Sequence, residues 1–262
     1  MSWSRRAQLA WSFMRTHLNR LGVDDATIDR MKRAVVRPLA RPLAYLPGGR
    51  GMYFDQIVYD CDHGARAEKA LRDFEHELLA LTADSICVDL GANVGVFTEK
   101  LAVHAGMVHA FEPDPTAFAL LYERVGHLPN VRLHNAAVST KDGTVMLRRL
   151  PEVETRPGLT AASSIVNRSL SQERGPDVEV ANVDFIRFIR ELGQPVAIIK
   201  MDIEGAEVEI LEALLEAPER ELINTLFVET HQRIFPEQAI PIARLRRAFG
   251  RLDRPNVNFD WP

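Results

Sequence analysis

The chain has 262 residues, 46% hydrophobic and 26% charged, with a net charge of -4. Those fractions are ordinary for a folded soluble protein, and the length suffices for one large α/β core plus an appendage. No apolar run approaches a membrane span, and neither the two cysteines nor any cysteine–histidine spacing indicates a disulfide framework or a zinc site, so a cytoplasmic location and no metal are expected. After Met-Ser-Trp-Ser-Arg-Arg there is no continuous apolar core and no small-residue cleavage site, so no secretory leader is expected.

Charge divides the chain. Residues 1–50 hold ten Arg or Lys against three Asp, and the remainder holds 22 basic against 33 acidic residues. Trp3, Leu9, Trp11, Phe13, Met14 and Leu18 recur at loosely helical spacing among Arg5, Arg6, Arg15 and Arg20. This pattern reads either as a helix for an anionic membrane surface or as one packed on the core or on a second copy of the chain; packing is the expectation. A second helix is predicted over about residues 24–36, capped by Asp24 or Asp25 and stopped by Arg37-Pro38. Residues 45–64 read as a loop, then a strand or hairpin. The chain thus divides into a basic helical extension and linker, 1–64, and a catalytic-type domain, 65–262.

A helix over 65–81 leads into that domain. Ile86-Cys87-Val88 then reads as a buried parallel strand. It ends in Asp89-Leu90-Gly91-Ala92-Asn93-Val94-Gly95, and a helix follows from about Val96. Strand, glycine turn and helix is how an open α/β sheet presents a nucleotide-like ligand, with glycines where backbone must be approached closely. The next strand, 107–111, delivers Glu112 about twenty residues after the turn, where a carboxylate accepts hydrogen bonds from both ribose hydroxyls. A nicotinamide enzyme shares that spacing, but Asp-x-Gly-x-x-x-Gly is not the pyrophosphate-cradling Gly-x-Gly-x-x-Gly. An adenosine without phosphates, as in S-adenosylmethionine, fits better.

A helix opened by Pro113-Asp114-Pro115 is predicted next. Asn135, Ala136 and Ala137 are placed at the end of a third strand, 131–135, where small residues leave room for a flat ring. Lys141-Asp142-Gly143 opens a strand over 144–149, and the long polar stretch 151–176 reads as a cover for the acceptor. Strand character resumes at 178–181, and Asp184 caps a helix over 185–192. A nearly unbroken apolar strand, 196–201, ends at Asp202. Glu204 and Glu207 open the helix after it. His231 follows the strand 222–228, at the same sheet edge as Asp202 and Glu112. After a helix over 237–249, residues 256–261 are expected to supply one of two antiparallel strands.

Four blocks occur in one order: Asp89–Gly95, Phe111-Glu112-Pro113, Asn135-Ala136-Ala137-Val138-Ser139, and Ile199-Lys200-Met201-Asp202-Ile203-Glu204-Gly205-Ala206-Glu207. Together, over about residues 74–235, they resemble the FkbM-type methyltransferases. The resemblance implies S-adenosyl-L-methionine as cofactor and a Rossmann-like class I methyltransferase fold: a mostly parallel sheet, order 3-2-1-4-5 plus remnants, helices on both faces, and the helical N-terminal extension. It implies transfer to a hydroxyl of a sugar, glycolipid or polyketide-like small molecule, with a non-catalytic scaffold as the alternative. Glu75, by the same resemblance, approaches the methionine end of the cofactor, beside Asp89, Gly91, Asn93, Gly95, Glu112, Asn135, Ala136, Ala137 and Asp202. His231 is the leading general base, with Asp202 and Glu204 as rivals. Nucleic acid is not an expected partner, because the core lacks a basic stripe interleaved with aromatics.

Overall fold

The computed structural model of the protein describes residues 24, 27, 30–40, 63–149, 177–232 and 235–262. They fall into two compact units. One comprises Lys69–Thr230 and Ala248–Pro262; the other groups Met1–Glu68 with His231–Arg247. The expected helix over residues 3–20, the strand before residue 63 and the cover over 151–176 lie outside the described residues.

The larger unit is built on a six-stranded sheet, β3-β2-β1-β7-β8-β9. Its strands are β1 (Ile86–Leu90), β2 (Met107–Phe111), β3 (Val131–His134), β7 (Val196–Met201), β8 (Ile223–Glu229) and β9 (Asn256–Trp261). Every pair in it is parallel. β1 lies between β2 and β7, so its five residues are all buried, which explains the unbroken apolar run. The order 3-2-1-4-5 is recovered for the parallel strands from β3 to β8. β9 departs from expectation: it adds parallel to β8, not as an antiparallel partner. The connection from β8 back to β9 contains α7 (Ala239–Phe249), and a helical crossover of that length returns the chain in the same direction.

The remaining strands form a second sheet, β4-β6-β5, from β4 (Ala136–Ser139), β5 (Gly143–Leu147) and β6 (Val178–Asp184). The expected third strand is β3, one residue shorter, and the alanines expected at its end belong to the second sheet. β3 ends at His134, and Ala136 and Ala137 open β4, pairing with Ala181 and Asn182 of β6. β5 runs antiparallel to β6, with Leu147 opposite Val178.

The helices are α1 (Arg37–Ala40), α2 (His63–Leu79), α3 (Val96–His104), α4 (Pro115–Val125), α5 (Phe185–Leu192), α6 (Glu207–Glu216) and α7. Phe74 of α2 is fully buried, edge-on to Phe97, Phe227 and Trp261 at centroid separations of 5.8, 5.3 and 4.8 Å. Each such pair contributes about 0.5–1.5 kcal/mol beyond its buried area. Cys87, Val108, Leu121 and Ile198 complete this core. On β2 and β3, His134 stacks on Phe111 at 4.2 Å and shares a hydrogen bond with His109, Nδ1 to Nε2, of 3.1 Å. Phe188 of α5 meets all three rings edge-on.

In the smaller unit, Asp24 Oδ1 accepts from the Thr27 amide at 2.7 Å, as expected of a cap. Helix does not stop before Pro38. It is π-helical over Lys32–Val36 and continues as α1. Pro38 thus falls at the second position of α1, directly after the π-helical turn. Among the described residues no helix is long and apolar enough to cross a membrane.

Candidate active site

The carboxyl ends of β1, β2 and β7 meet around one turn. After Leu90 the chain reverses through Gly91, Asn93 and Gly95, all left-handed, with φ of +74°, +49° and +87°. The amides of Gly91 and Ala92 both donate to the Phe111 carbonyl, at 3.0 and 2.9 Å, which fastens the turn to the end of β2. The space beside the two glycines is filled by the protein itself. A Cβ on Gly91 would lie 1.8 Å from the Asp202 carbonyl oxygen, and one on Gly95 would lie 2.8 Å from Leu121 Cδ1. Both glycines are therefore demanded by chain packing, where the sequence suggested ligand approach. Gly95 precedes α3 with no side-chain cap, leaving the first amides of that helix near the turn.

Glu112 follows β2 and faces the turn. Its Oε2 accepts from the Asn93 amide and its Oε1 from the Asp114 amide, both at 2.8 Å. Each oxygen retains a further lone pair for a ligand hydroxyl. Glu112 is 5% exposed, and burial pushes its carboxyl up to about 7 against the pull of those two amides. Asn135 does not stand free at a strand end. Its amide donates to the carbonyls of Glu112 and Pro113, at 2.8 and 3.4 Å, bracing the loop that carries Glu112. Ala136 and Ala137 follow it, buried in β4.

Asp89 is wholly buried beneath the turn. Its Oδ2 accepts from the Thr98 hydroxyl at 2.7 Å, tying β1 to the first turn of α3. Its Oδ1 lies 3.5 Å from the ammonium of Lys200, which is also 3.5 Å from Asp202 Oδ2 and donates to the Gly91 carbonyl at 2.7 Å. Asp202 is the more open of the two carboxylates, with its side chain 28% exposed, and its amide donates to Leu90 O at 3.0 Å. Glu204 holds a left-handed backbone, φ +57°, in the loop after β7. Glu207 braces that loop, its Oε1 accepting from the amides of Ile203 and Gly205.

Of the residues expected at the site, the turn, Glu112, Asn135, Asp89 and Asp202 are gathered at one edge of the larger unit. Glu75 lies on α2 with its side chain 54% exposed, in an ion pair with Lys100 of α3. His231 is buried and begins the other unit, where its carbonyl accepts from the Phe235 amide at 2.8 Å. It follows the end of β8 by two residues.

Sequence reasoning passed over Lys200, Thr98 and Arg149. Lys200 was signalled by a single charge inside an apolar strand. Arg149, 7% exposed, donates to both oxygens of Asp114, which caps α4, and to the Thr116 hydroxyl. No local pattern announces that pair, because the partners are far apart in sequence.

Residues 89–254 match the family described as "Methyltransferase FkbM domain". The chain is 28% identical over 162 residues to Methyltransferase 1 of Beauveria bassiana, covering 56% of this chain and 64% of that protein. It is 29% identical over 161 residues to the 31-O-demethyl-FK506 methyltransferase FkbM of Streptomyces tacrolimicus, covering 52% and 62%. It is 28% identical over 178 residues to the ribosomal RNA small subunit methyltransferase A of Rubrobacter xylanophilus, covering 66% and 61%. The matched stretches thus span about six tenths of each relative's length.

Proposed function

Because the chain belongs to the FkbM methyltransferase family, we propose that it is an S-adenosylmethionine-dependent O-methyltransferase acting on a hydroxyl of a small molecule such as a sugar, glycolipid or polyketide. The observation that carries the cofactor is Glu112, a carboxylate fixed by two amides opposite a left-handed turn, with lone pairs left for two ribose hydroxyls. The hydroxyl acceptor is favoured by the Streptomyces relative, whose name specifies an oxygen.

When bound, the cofactor supplies an electrophilic methyl carried on a positively charged sulfur. The chain's task is to hold the adenosine, orient the acceptor oxygen and receive its proton. Glu112 accepts from the ribose. The first amides of α3 supply donors beside it. Asp202, at the end of β7, is a carboxylate for the cofactor's amino group or for the acceptor. A hydroxyl is a poor nucleophile near neutrality, so a base that takes its proton accelerates transfer. An imidazole nitrogen of His231 is the leading candidate, and the carboxylates of Asp202 and Glu204 are the rivals.

Isothermal titration with S-adenosylhomocysteine and with NAD tests the cofactor; binding of NAD alone overturns the reading. Mass spectrometry of sugars, glycolipids and polyketides incubated with methyl-labelled cofactor tests the acceptor. Binding without turnover on any acceptor favours a scaffold built on a methyltransferase fold. Label found only in RNA favours the reading suggested by the Rubrobacter relative.

A further inference from the structure

Lys200 is the feature of the strand edge that the reading above leaves unused. It lies on β7, a central strand of the sheet, with its side chain 4% exposed. An isolated ammonium at such a depth is costly, and it persists only where partners compensate it. Here the compensation comes from every side. Gly91 O accepts a hydrogen bond of 2.7 Å, and Asp89 Oδ1 and Asp202 Oδ2 each lie at 3.5 Å. The Phe97 ring of α3 presents its face, with the ammonium 5.9 Å from the centroid. The carboxylates of Glu229, at the end of β8, and Glu112, after β2, add longer-range attraction. Asp89 Oδ1 in turn is buried and accepts no hydrogen bond, so the ammonium is what balances its charge.

We propose that Lys200 is a positioning residue that sets both the shape and the charge of the cofactor site. Its hydrogen bond fixes the Gly91 carbonyl and hence the turn, and its charge offsets one of the two carboxylates flanking it. The immediate set of Asp89, Lys200 and Asp202 is left with one net negative charge. That remainder is matched to a ligand with one positive charge, a sulfonium, better than to the neutral thioether that transfer leaves behind. The inference rests on the cofactor reading above and adds to it a means of telling substrate from product.

The test uses the full chain and two variants, Lys200→Met, which keeps the length and removes the charge, and Lys200→Arg, which keeps the charge. Dissociation constants for S-adenosylmethionine and S-adenosylhomocysteine are measured by isothermal titration. With Lys200→Met both should weaken, the thioether at least about tenfold. The ratio should shift toward the sulfonium by at least about threefold, because the immediate charge becomes more negative by one. Lys200→Arg should restore the ratio. Equal weakening of both ligands, or no weakening, overturns the proposal. Melting without ligand gives an independent readout. In Lys200→Met the buried Asp89 carboxylate loses the ammonium that balances it, which costs stability. The melting temperature should therefore fall clearly below that of wild type and recover in Lys200→Arg, and an unchanged melting temperature in Lys200→Met overturns the clamp. If wild type binds neither ligand, the cofactor reading fails, and the melting comparison alone decides the role of Lys200.

Discussion

Glu112 answers two opposed demands. Burial favours its neutral acid, with a value near 7, while the Asp114 and Asn93 amides favour the anion. Ribose hydroxyls donate, so they select the anion. Affinity for S-adenosylhomocysteine is expected to rise with pH through about 7 and then level off, and Glu112→Gln should flatten that dependence. Titrations one unit below and one unit above this value check it; equal affinities would remove Glu112 from the ribose. The same shift has the opposite sign for stability. The folded value lies above the ordinary 4.5, so the native state binds the proton more tightly, and ligand-free stability should fall as pH rises from 4.5 to about 7. Glu112→Ala removes two charge-assisted bonds of about 1.5–3 kcal/mol each, so affinity should drop at least about tenfold in a protein that still folds. For His231, replacement by alanine should lower turnover by about 10²–10⁴ while cofactor affinity changes less than about threefold. A raised Michaelis constant for the acceptor with turnover intact would instead hand the proton to Asp202 or Glu204.

The strand that closes the sheet, β9, is held by Trp261, which is 1% exposed and packs on Phe74, Phe97 and Phe227. Truncation to alanine empties a cavity at the centre of this aromatic cluster and should cost about 3–5 kcal/mol in chemical denaturation; a loss under about 1 kcal/mol would mean that β9 is peripheral. At the opposite edge, burial holds His134 down to about 4 and His109 below its usual range. Their folded values lie below the unfolded 6.5, so the native state binds fewer protons, and stability should decline as pH falls from 6.5 toward 4. His134→Phe keeps a ring over Phe111 and should reduce that decline, as read by melting at a series of pH values. β1 and the turn after it were legible because a short apolar run, Ile86-Cys87-Val88, closely followed by glycine has few other meanings. The direction of β9 was not, since a strand's residues alternate alike in either direction. Nor was the passage from one sheet to another at Asn135, because the chain crosses between sheets with no proline or glycine to mark it. Beside the glycines, what the sequence could not announce is the neighbouring chain: a Cβ there would meet Asp202 O and Leu121 Cδ1.

The basic residues of the first fifty positions and the acidic excess elsewhere give the protein two electrostatic characters in one chain. Deleting residues 1–20 should lower the melting temperature or dissociate an oligomer if that stretch is packed, the outcome we expect. A truncated protein of unchanged stability and assembly that no longer binds anionic vesicles would assign it to a lipid surface instead. Farther along, the second sheet has a bearing on how such enzymes diversify. Leu147 and Val178 face each other across β5 and β6, so the chain leaves this sheet after Leu147 and rejoins it opposite at Val178. Closing a loop across fixed neighbours grows only logarithmically more costly with length, about 0.6 kcal/mol per doubling. The segment joining those two ends can therefore differ in length at little cost to the pairing of β5 with β6. Under the proposed function, such a join lets the chain change what it carries there while Glu112, after β2, and Asp202, after β7, keep their places.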